Sequence, residues 1–295
     1  MGVILPLPPR EMNFVGDGDF DAVGREFFRY FTELGGLQPH HRVLDVGCGI
    51  GRMTRPLAEY LDRRGGYEGF DIVRVGIDWC RKNITPLRPN FRFRTADVYN
   101  PGYNPSGAFD AGEYLFPYKS NSFDFVFLTS VFTHMLPAGV ENYLREIARV
   151  MKVGGTCLIT YFLQNDETRA LGAAGKGMFI FKYRRAGYWI ASPEVADEEA
   201  VCYDEDYVLG LYERCGLQLE KPIHRGCWCG RAEHVSFQDM VVARKVREVA
   251  TGRLPGPVTI ALRRWTRRFR RWMNSETVAG SAALDNVKNA QRHAG

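Results

Sequence analysis

A glycine-rich turn at residues 43–52, Val-Leu-Asp-Val-Gly-Cys-Gly-Ile-Gly-Arg, constrains the fold of this chain most strongly. An apolar stretch suited to a short β-strand leads into the acid and the glycines, and an amphipathic stretch suited to a helix follows them. Glycines allow positive φ and let a ligand approach the backbone, and the helix that follows presents free N–H groups at its start. Open α/β sheets bind nucleotides at such a turn after their first strand.

The spacing of the glycines and the acid before them disfavour a ligand bound through phosphate groups. A phosphate-binding loop needs Lys followed by Ser or Thr after its glycines, whereas this chain has Arg52-Met53-Thr54. The dinucleotide pattern Gly-x-Gly-x-x-Gly fails because Gly51 comes one position early. Asp45 would repel a pyrophosphate, but it would suit a ligand that carries an ammonium group.

Two further acids stand at the ends of predicted strands. Asp71 lies 20 residues after Gly51, where an acidic side chain can accept hydrogen bonds from both ribose hydroxyls. Asp97 ends the alternating stretch at residues 91–98, where it can accept a hydrogen bond from the exocyclic amine of adenine. An adenosine joined to an amino acid, without phosphate, describes S-adenosylmethionine.

With these motifs the chain resembles the class I S-adenosylmethionine-dependent methyltransferases over about residues 20–245. The matching blocks are residues 44–51, Asp71, Asp97, residues 122–129 and residues 144–155, in family order and spacing. The resemblance implies an α/β fold with a Rossmann-like, seven-stranded, mostly parallel sheet, helices on both faces and an antiparallel last strand. It implies S-adenosyl-L-methionine as the cofactor. From the residues themselves we expect no metal site. The cofactor-binding residues that the resemblance implies are Asp45, Gly47, Cys48, Gly49, Gly51, Asp71, Ile72, Asp97, Val98 and Thr129. A Rossmann-like domain that binds another nucleotide, or none, is the alternative.

The periodicity of apolar residues predicts alternating strands and helices, which favour a parallel sheet. Helices are predicted at 18–36, 52–63, 74–84, 138–151 and 204–215, and strands at 42–46, 67–71, 91–96, 123–129, 155–163, 217–225 and 235–243. Residues 99–121 read as an ordered loop, and residues 164–200 as a lid or substrate-binding insert. The predicted organisation is an N-terminal arm at 1–17, a methyltransferase domain at 18–245 and a basic amphipathic extension at 246–295.

The extension carries the positive charge of the chain. Residues 244–272 hold ten Lys or Arg and a single acid, while the whole chain has a net charge of +5. Val258, Leu262, Trp265, Phe269 and Trp272 step by three or four, which predicts an amphipathic helix over 258–273. Three partners for it stay open: an anionic membrane surface, the catalytic domain or a second subunit in a homodimer, and nucleic acid.

Cysteine usage and hydropathy bear on localisation. The seven cysteines show no framework spacing, which favours a reducing compartment, and no apolar run reaches the 20 or so residues of a membrane span. The pair Cys227 and Cys229 is too closely spaced for a usual zinc site. We therefore expect a cytoplasmic protein, peripheral at the inner membrane face if the basic extension binds lipid.

Methyl transfer from a sulfonium requires an aligned acceptor and, for a hydroxyl acceptor, removal of its proton. His134 follows the predicted fourth strand and is the candidate base, because histidine titrates near neutral pH. Packing beneath the cofactor, or capping the next helix, is the alternative role. The candidates to line the acceptor pocket are Tyr161 at the end of the fifth strand and, in the insert, Tyr183, Arg184, Arg185 and Trp189. Simple loop packing is their alternative.

The residues after the fourth strand narrow the acceptor class. At this place the chain has Leu-Thr-Ser-Val, without the Asn- or Asp-Pro-Pro-aromatic run of enzymes that methylate base amines in DNA, and without a Pro-Cys nucleophile. The carboxylate cluster of metal-dependent catechol-type enzymes is also missing. We therefore expect O-methylation of a small-molecule, sugar or lipid-linked acceptor. Residues 226–245 loosely resemble the end of bacterial methyltransferases of cell-surface glycan or glycolipid assembly. An RNA methyltransferase with a basic tether, and a catalytically idle cofactor-binding scaffold, stay open.

Overall fold

A computed structural model describes residues 5–14, 16 and 18–248 of the 295-residue chain. The predicted helix over 258–273, and with it the membrane, dimer and nucleic-acid alternatives for the basic extension, lies outside the described residues. None of the described helices is long and apolar enough to cross a bilayer.

Six α-helices and eleven β-strands make up the regular structure of the described residues. The helices are α1 (Phe20–Glu33), α2 (Thr54–Tyr60), α3 (Arg74–Asn83), α4 (Pro137–Val150), α5 (Asp166–Ala173) and α6 (Glu205–Arg214). The strands are β1 (Arg42–Val46), β2 (Gly66–Asp71), β3 (Phe91–Thr95), β4 (Phe123–Leu128), β5 (Met151–Tyr161), β6 (Leu163–Gln164), β7 (Tyr183–Arg184), β8 (Tyr188–Ile190), β9 (Val201–Asp204), β10 (Leu217–His224) and β11 (Asp239–Lys245).

Seven of these strands form the main sheet, in the order β10-β11-β5-β4-β1-β2-β3. Neighbouring strands run parallel from β3 to β5, while β11 is antiparallel to both β5 and β10. This confirms the predicted seven-stranded, mostly parallel sheet with an antiparallel last strand. Because β2 follows β1 on one side and β4 lies on its other side, the strand order reverses at β1. A ligand crevice forms at such a reversal, outside the carboxyl ends of the strands.

Helices cover both faces of the main sheet, as the fold class predicts. On one face, Phe31 of α1 stacks on Phe127 of β4, with ring centroids 4.2 Å apart. On the other face, the buried side of α4 contributes Ile147 and Val150 to a separate apolar cluster. Asp19 caps the start of α1 by accepting a hydrogen bond from Ala22 N at 2.7 Å. Apolar burial on both faces fits the almost continuous apolar sequences of the central strands.

Several element boundaries differ from the sequence prediction, among them the last strand, predicted over 235–243 and found at Asp239–Lys245. Two of the others lie next to glycines. The fifth strand, predicted from residue 155, begins at Met151, since the pairing with β4 slips between Phe123 and Phe125 and absorbs Gly154 at φ +85°. The second helix, predicted over 52–63, is limited to Thr54–Tyr60, because the glycine turn continues to Met53 and Leu61 is already extended.

A second sheet is formed by the segment predicted as a lid or substrate-binding insert, residues 164–200, together with the residues that flank it. Strands β6 to β9 pair in the order β6-β9-β8-β7, and helix α5 lies between β6 and β7. The described part of the predicted N-terminal arm, residues 1–17, contacts the main domain: Leu5 is 3% exposed within the apolar cluster that also holds Phe31.

A buried carboxylate ties the insert region to the edge of the main sheet. Asp239, the first residue of β11, is inaccessible to solvent and accepts hydrogen bonds from Leu163 N at 3.1 Å, Gly226 N at 2.9 Å and Trp228 Nε1 at 2.7 Å. The Arg231 guanidinium lies 3.4 Å from its Oδ1 and also forms a two-pronged ion pair with a glutamate of α5, at 2.8 and 2.9 Å. The first residue of β11 therefore joins the start of the insert to the loop after β10.

Candidate active site

A cavity of about 580 Å³ lies at the carboxyl ends of the strands, where the strand order reverses. Its wall combines the glycine turn after β1, the ends of β2 and β4, the loop after β3 and parts of the insert. The predicted cofactor residues that line it are Asp45, Gly47, Cys48, Gly49, Asp71, Ile72, Val98 and Thr129. The glycine turn and the second-strand acid are therefore brought together, as the sequence predicts.

The glycine turn leaves no room for a side chain at its first position. Gly47 has φ +84°, in the left-handed region that favours glycine, and a Cβ built there would lie 2.2 Å from Val131 Cγ2. Gly51 differs, since a Cβ built there would lie 3.1 Å from Cys80 of α3 and from Ile84, which directly follows that helix. Gly51 therefore serves the packing of the turn on α3 and does not itself line the cavity.

Replacing Gly47 by alanine is expected to weaken cofactor binding by about tenfold or more, because the new methyl group overlaps Val131 and the left-handed backbone is strained for alanine. Calorimetric titration with S-adenosylmethionine measures the loss. The double variant Gly47→Ala/Val131→Ala is the matched control. It removes the overlapping methyl group and should recover part of the affinity. The loss that is caused by the strained left-handed backbone should remain. Equal losses in the single and double variants would contradict the steric explanation.

Asp71 holds the glycine turn against the end of β2. Its Oδ2 accepts a hydrogen bond from Gly49 N at 2.7 Å and its Oδ1 accepts one from Val73 N at 2.8 Å. Burial raises the pKa of this carboxyl, and the backbone N–H groups of Val73 and Gly49 oppose that rise. A carboxylate has about four lone-pair sites, so both oxygens can still accept hydrogen bonds from two ligand hydroxyls.

Asp45 is a buried acid whose carboxylate a positively charged ligand group would stabilise. It is 1% exposed, and its Oδ2 accepts a hydrogen bond from the Tyr67 hydroxyl at 2.6 Å. Among the described residues, no group donates to its Oδ1. Burial raises the pKa of Asp45 well above its ordinary value, the Tyr67 hydrogen bond opposes the rise, and the nearby charge of Asp71 adds to it. A ligand with a positively charged ammonium group would satisfy this orphaned oxygen, so the residues fit an adenosyl amino acid.

The adenine-side acid is placed differently from the prediction. Asp97 is exposed and is not among the residues that line the cavity, whereas its neighbour Val98 is buried and lines it. The alternation of buried and exposed residues in β3 breaks at Arg94 and Thr95, which are both exposed, and beyond the strand Ala96 and Val98 are buried while Asp97 is exposed. Asp110, from the long loop after β3, lines the cavity instead, with Oδ1 accepting a hydrogen bond from Gly112 N at 2.8 Å. Sequence reasoning missed Asp110 because it sits in no periodic element.

His134 lines the same cavity, in the 3-10 turn at Phe132–His134 after β4. Its Nδ1 lies 3.1 Å from the backbone oxygen of Glu198. A carbonyl oxygen can only accept, so in the neutral ring Nδ1 carries the proton and Nε2 is the acceptor. Burial lowers the pKa of His134, and the backbone oxygens of Glu198 and Glu199 partly oppose that shift. The ring is therefore held neutral, with a free lone pair, near pH 7.

Tyr161 does not line the cavity, which corrects its assignment to an acceptor pocket. The side chain is inaccessible to solvent, its hydroxyl lies 2.9 Å from that of Tyr212, and its ring centroid lies 5.4 Å from that of Phe132. Burial raises the pKa of Tyr161 well above its ordinary value. The last residue of β5 therefore belongs to the core beneath the sheet.

The predicted acceptor residues of the insert also lie away from the cavity. Arg184 Nη2 contacts Asp204 Oδ2 at 3.3 Å, and its guanidinium carbon lies 5.5 Å from the ring centroid of Trp189. Trp189 Nε1 donates to Asp204 Oδ1 at 2.8 Å, while Tyr183 is 43% exposed. Tyr183, Arg184 and Trp189 thus stabilise the small sheet and are not among the residues that line the cavity. Arg185, which forms an ion pair with Asp197 at 3.5 Å, is not among them either.

The structure adds cavity residues that the sequence did not reveal. They come from the N-terminal arm, α1, the turn before α2, the loop after β3, the insert and the segment before β11. They include Phe14, Gly16, Phe162, Phe179, Phe237 and Gln238. Each stands in a loop or just outside a regular element, where periodicity gives no signal for the direction of a side chain.

Comparison with known proteins shows which proteins share this fold. Residues 44–159 match the model of a family described as a methyltransferase domain. A solved structure from Pyrococcus horikoshii OT3 superposes with a TM-score of 0.54 at 14% identity, over 79% of this chain and 94% of that one, which shows a common fold.

Two curated relatives match parts of the chain. The aklanonic acid methyltransferase DauC of Streptomyces sp. (strain C5) is 35% identical over 97 residues, which are 31% of this chain and 43% of that protein. Phosphoethanolamine N-methyltransferase 3 of Arabidopsis thaliana is 26% identical over 160 residues, 52% of this chain and 27% of that protein. The chain thus matches less than half of the length of each of these two relatives.

Proposed function

We propose that the chain is a class I S-adenosylmethionine-dependent methyltransferase that transfers a methyl group to a hydroxyl group of a small-molecule, sugar or lipid-linked acceptor. The match of residues 44–159 to a methyltransferase-domain model supports the methyl transfer. One observation carries the choice of a hydroxyl acceptor. His134, held in its neutral form with Nε2 as the acceptor nitrogen, lines the same cavity as the cofactor residues Asp45 and Asp71.

The cofactor, when bound, supplies a methyl group that its sulfonium already activates. Asp71 would accept the two ribose hydroxyls, and Asp45 would receive the ammonium group on its orphaned Oδ1. The positive φ angles of Gly47 and Gly49 allow the backbone to approach the ligand closely. These groups hold the donor, so the remaining task of the protein is to align the acceptor and to handle its proton.

His134 is suited to take the proton of a hydroxyl acceptor. Its Nδ1–H donates to the Glu198 carbonyl, which fixes the orientation of the ring and leaves the Nε2 lone pair available. Because burial lowers the pKa of His134, the imidazole remains neutral at the pH of most cytosols. General-base assistance of this kind typically contributes about 10²- to 10⁴-fold to the rate.

The pH dependence of turnover tests the role of His134. The base form is neutral, so kcat should be constant above pH 7 and fall as pH drops through a pKa that lies below the ordinary value of about 6.5. His134→Gln should lower kcat about 100-fold and abolish this inflection, while affinity for the cofactor, measured by calorimetry, is unchanged. An unaltered pH profile in the variant would show that His134 is not the base.

The identity of the methylated atom is tested in the same variant. The Arabidopsis relative is named an N-methyltransferase, and a neutral amine attacks with its own lone pair before it loses a proton. An amine acceptor would therefore make turnover far less sensitive to loss of His134. A small effect of His134→Gln on kcat would accordingly argue for nitrogen as the acceptor atom.

The acceptor class is tested by transfer of a labelled methyl group from S-adenosylmethionine into separated lipid, polysaccharide, RNA, protein and small-molecule fractions of a cell extract. Label in the small-molecule, polysaccharide or lipid fraction supports the proposal. Label in RNA would replace it with an RNA methyltransferase.

A further inference from the structure

Three phenylalanines form a continuous part of the cavity wall that the cofactor residues do not use. Phe162 follows β5, Phe179 belongs to the insert and Phe237 lies two residues before β11, and all three line the cavity. The ring centroid of Phe162 lies 5.3 Å from that of Phe179 and 6.1 Å from that of Phe237, which are themselves 6.1 Å apart. We refer to Phe162, Phe179 and Phe237 as the aromatic wall.

The aromatic wall is supported on one side and exposed on the other. Phe162 is 4% exposed and packs on the buried Trp228, with ring centroids 5.3 Å apart. Phe179 and Phe237 are 37% and 38% exposed, respectively. Two rings held on a packed base, with more than a third of their surface free, can bury an apolar ligand without first rearranging.

A polar group next to the aromatic wall has a fixed orientation. Gln238 follows Phe237, is 8% exposed and lines the cavity. Its Oε1 accepts a hydrogen bond from the Ser130 hydroxyl at 3.1 Å. The amide oxygen is thereby engaged, and Nε2, with two N–H donors, has no hydrogen-bond partner among the described residues. Gln238 can therefore donate to a ligand oxygen beside Phe237.

The position of Ser130 places this donor close to the glycine turn. Ser130 stands two residues after β4 and has φ +56°, a left-handed conformation rare for serine. Its N–H donates to Thr160 Oγ1 at 2.8 Å, which holds the turn in place. The next residue, Val131, lies directly against Gly47 of the glycine turn. Backbone strain of this kind is concentrated at functional sites. Here the strained residue, Ser130, lies between Gln238, to which it donates, and the contact of Val131 with the glycine turn.

We propose that the acceptor is a phenol-type aromatic molecule whose ring packs on Phe179 and Phe237 and whose oxygen accepts a hydrogen bond from Gln238 Nε2. This inference rests on the proposed O-methyltransferase function and names the substrate class of the same cavity. The rings of Phe179 and Phe237 are inclined by 61°, so a planar aromatic ring can stack on one and meet the other with its edge, which a saturated ring cannot do. A phenolic hydroxyl, with a pKa of about 10, yields its proton to a neutral imidazole far more readily than an alkyl alcohol does.

Binding of a matched pair of probes to the full chain, saturated with S-adenosylhomocysteine, tests the inference without turnover. The probes are 1-naphthol and trans-decahydro-1-naphthol, which share size and hydroxyl position and differ in aromaticity. Calorimetry should show 1-naphthol binding about tenfold more tightly than its saturated partner. Equal affinities, tighter binding of the saturated probe, or no detectable binding of 1-naphthol would overturn the proposal.

Variants assign the binding to the named side chains. Phe237→Ala and the milder Phe179→Leu should each weaken 1-naphthol binding, by about tenfold and threefold. Gln238→Leu should weaken it about fivefold, the net worth of one hydrogen bond. Val153→Ala, at a residue that is 54% exposed and does not line the cavity, is the matched control and should change nothing. Naphthol affinity unchanged in Phe179→Leu and Gln238→Leu would overturn the proposal.

Titration with S-adenosylhomocysteine, which precedes the naphthol measurement, distinguishes a failure of the phenol proposal from a failure of the methyltransferase proposal on which it rests. Binding of S-adenosylhomocysteine with no preference for the aromatic probe overturns the phenol assignment and leaves the methyltransferase proposal in place. Failure of the full chain to bind S-adenosylhomocysteine overturns both.

Discussion

Replacing Asp71 by alanine is expected to lower the affinity for S-adenosylmethionine about 100-fold, a larger loss than that of one hydrogen bond. The carboxylate does two things at once. It holds Gly49 N at 2.7 Å and Val73 N at 2.8 Å, which shapes the glycine turn, and it offers its remaining lone pairs to the ribose. Its removal leaves a disordered turn as well as two unpaired ligand hydroxyls.

Calorimetric titration of the folded variant measures this loss. Asp78→Ala is the matched control, because Asp78 lies on the helix that follows, is 53% exposed in its side chain and should leave the affinity unchanged. Since burial raises the pKa of Asp71, wild-type affinity should also decline as the pH falls towards that raised value and the carboxylate is protonated. Unchanged affinity in Asp71→Ala would remove this residue from the cofactor site.

Replacing Asp239 by alanine is expected to lower the free energy of unfolding by about 3–5 kcal/mol, the range for breaking a buried charged network. Three donors, Leu163 N, Gly226 N and Trp228 Nε1, would lose their acceptor in a region closed to water. The Arg231 guanidinium would lose one carboxylate and keep its glutamate partner on α5 and the Gly226 carbonyl, to which it donates at 2.7 Å. The insert and the loop after β10 should loosen together.

Denaturant-induced unfolding followed by tryptophan fluorescence measures this change, and Trp228 reports on the site itself. Glu220→Ala is the control: its side chain is 53% exposed, it pairs with Arg244 at 3.3 Å, and an exposed pair of this kind is worth about 0–1 kcal/mol. A loss for Asp239→Ala no larger than that of Glu220→Ala would contradict a structural role for the buried carboxylate.

The main sheet could be predicted from the sequence because its strands and helices carry strong periodic signals. Strands buried on both faces read as short apolar runs, and the helices between them, such as α4, show a clear apolar stripe. The glycine turn and Asp71 are tied to fixed positions at strand ends, so their meeting in space followed from the topology alone.

The rest of the site could not be predicted, for reasons that differ between residues. Strands of two or three residues, such as β6 and β7, are too short to show a period. Tyr161 ends a strand that is apolar on both faces, so its sequence does not indicate which way it points. Asp97 and Asp110 both lie outside the strands, where the direction of a side chain depends on the loop, so the sequence did not indicate which of the two lines the cavity.

The N-terminal arm has a practical consequence for anyone who shortens this protein. Phe14 and Gly16 are part of the cavity wall, and Arg52 of the glycine turn donates to the Gly16 carbonyl at 3.3 Å. A chain trimmed to begin at residue 18, the domain boundary that the sequence suggests, would lose this portion of the wall. Such a trimmed protein would keep the whole sheet and every predicted cofactor residue, yet present a cavity breached on one side, so screens for ligands or acceptors require the untrimmed amino terminus.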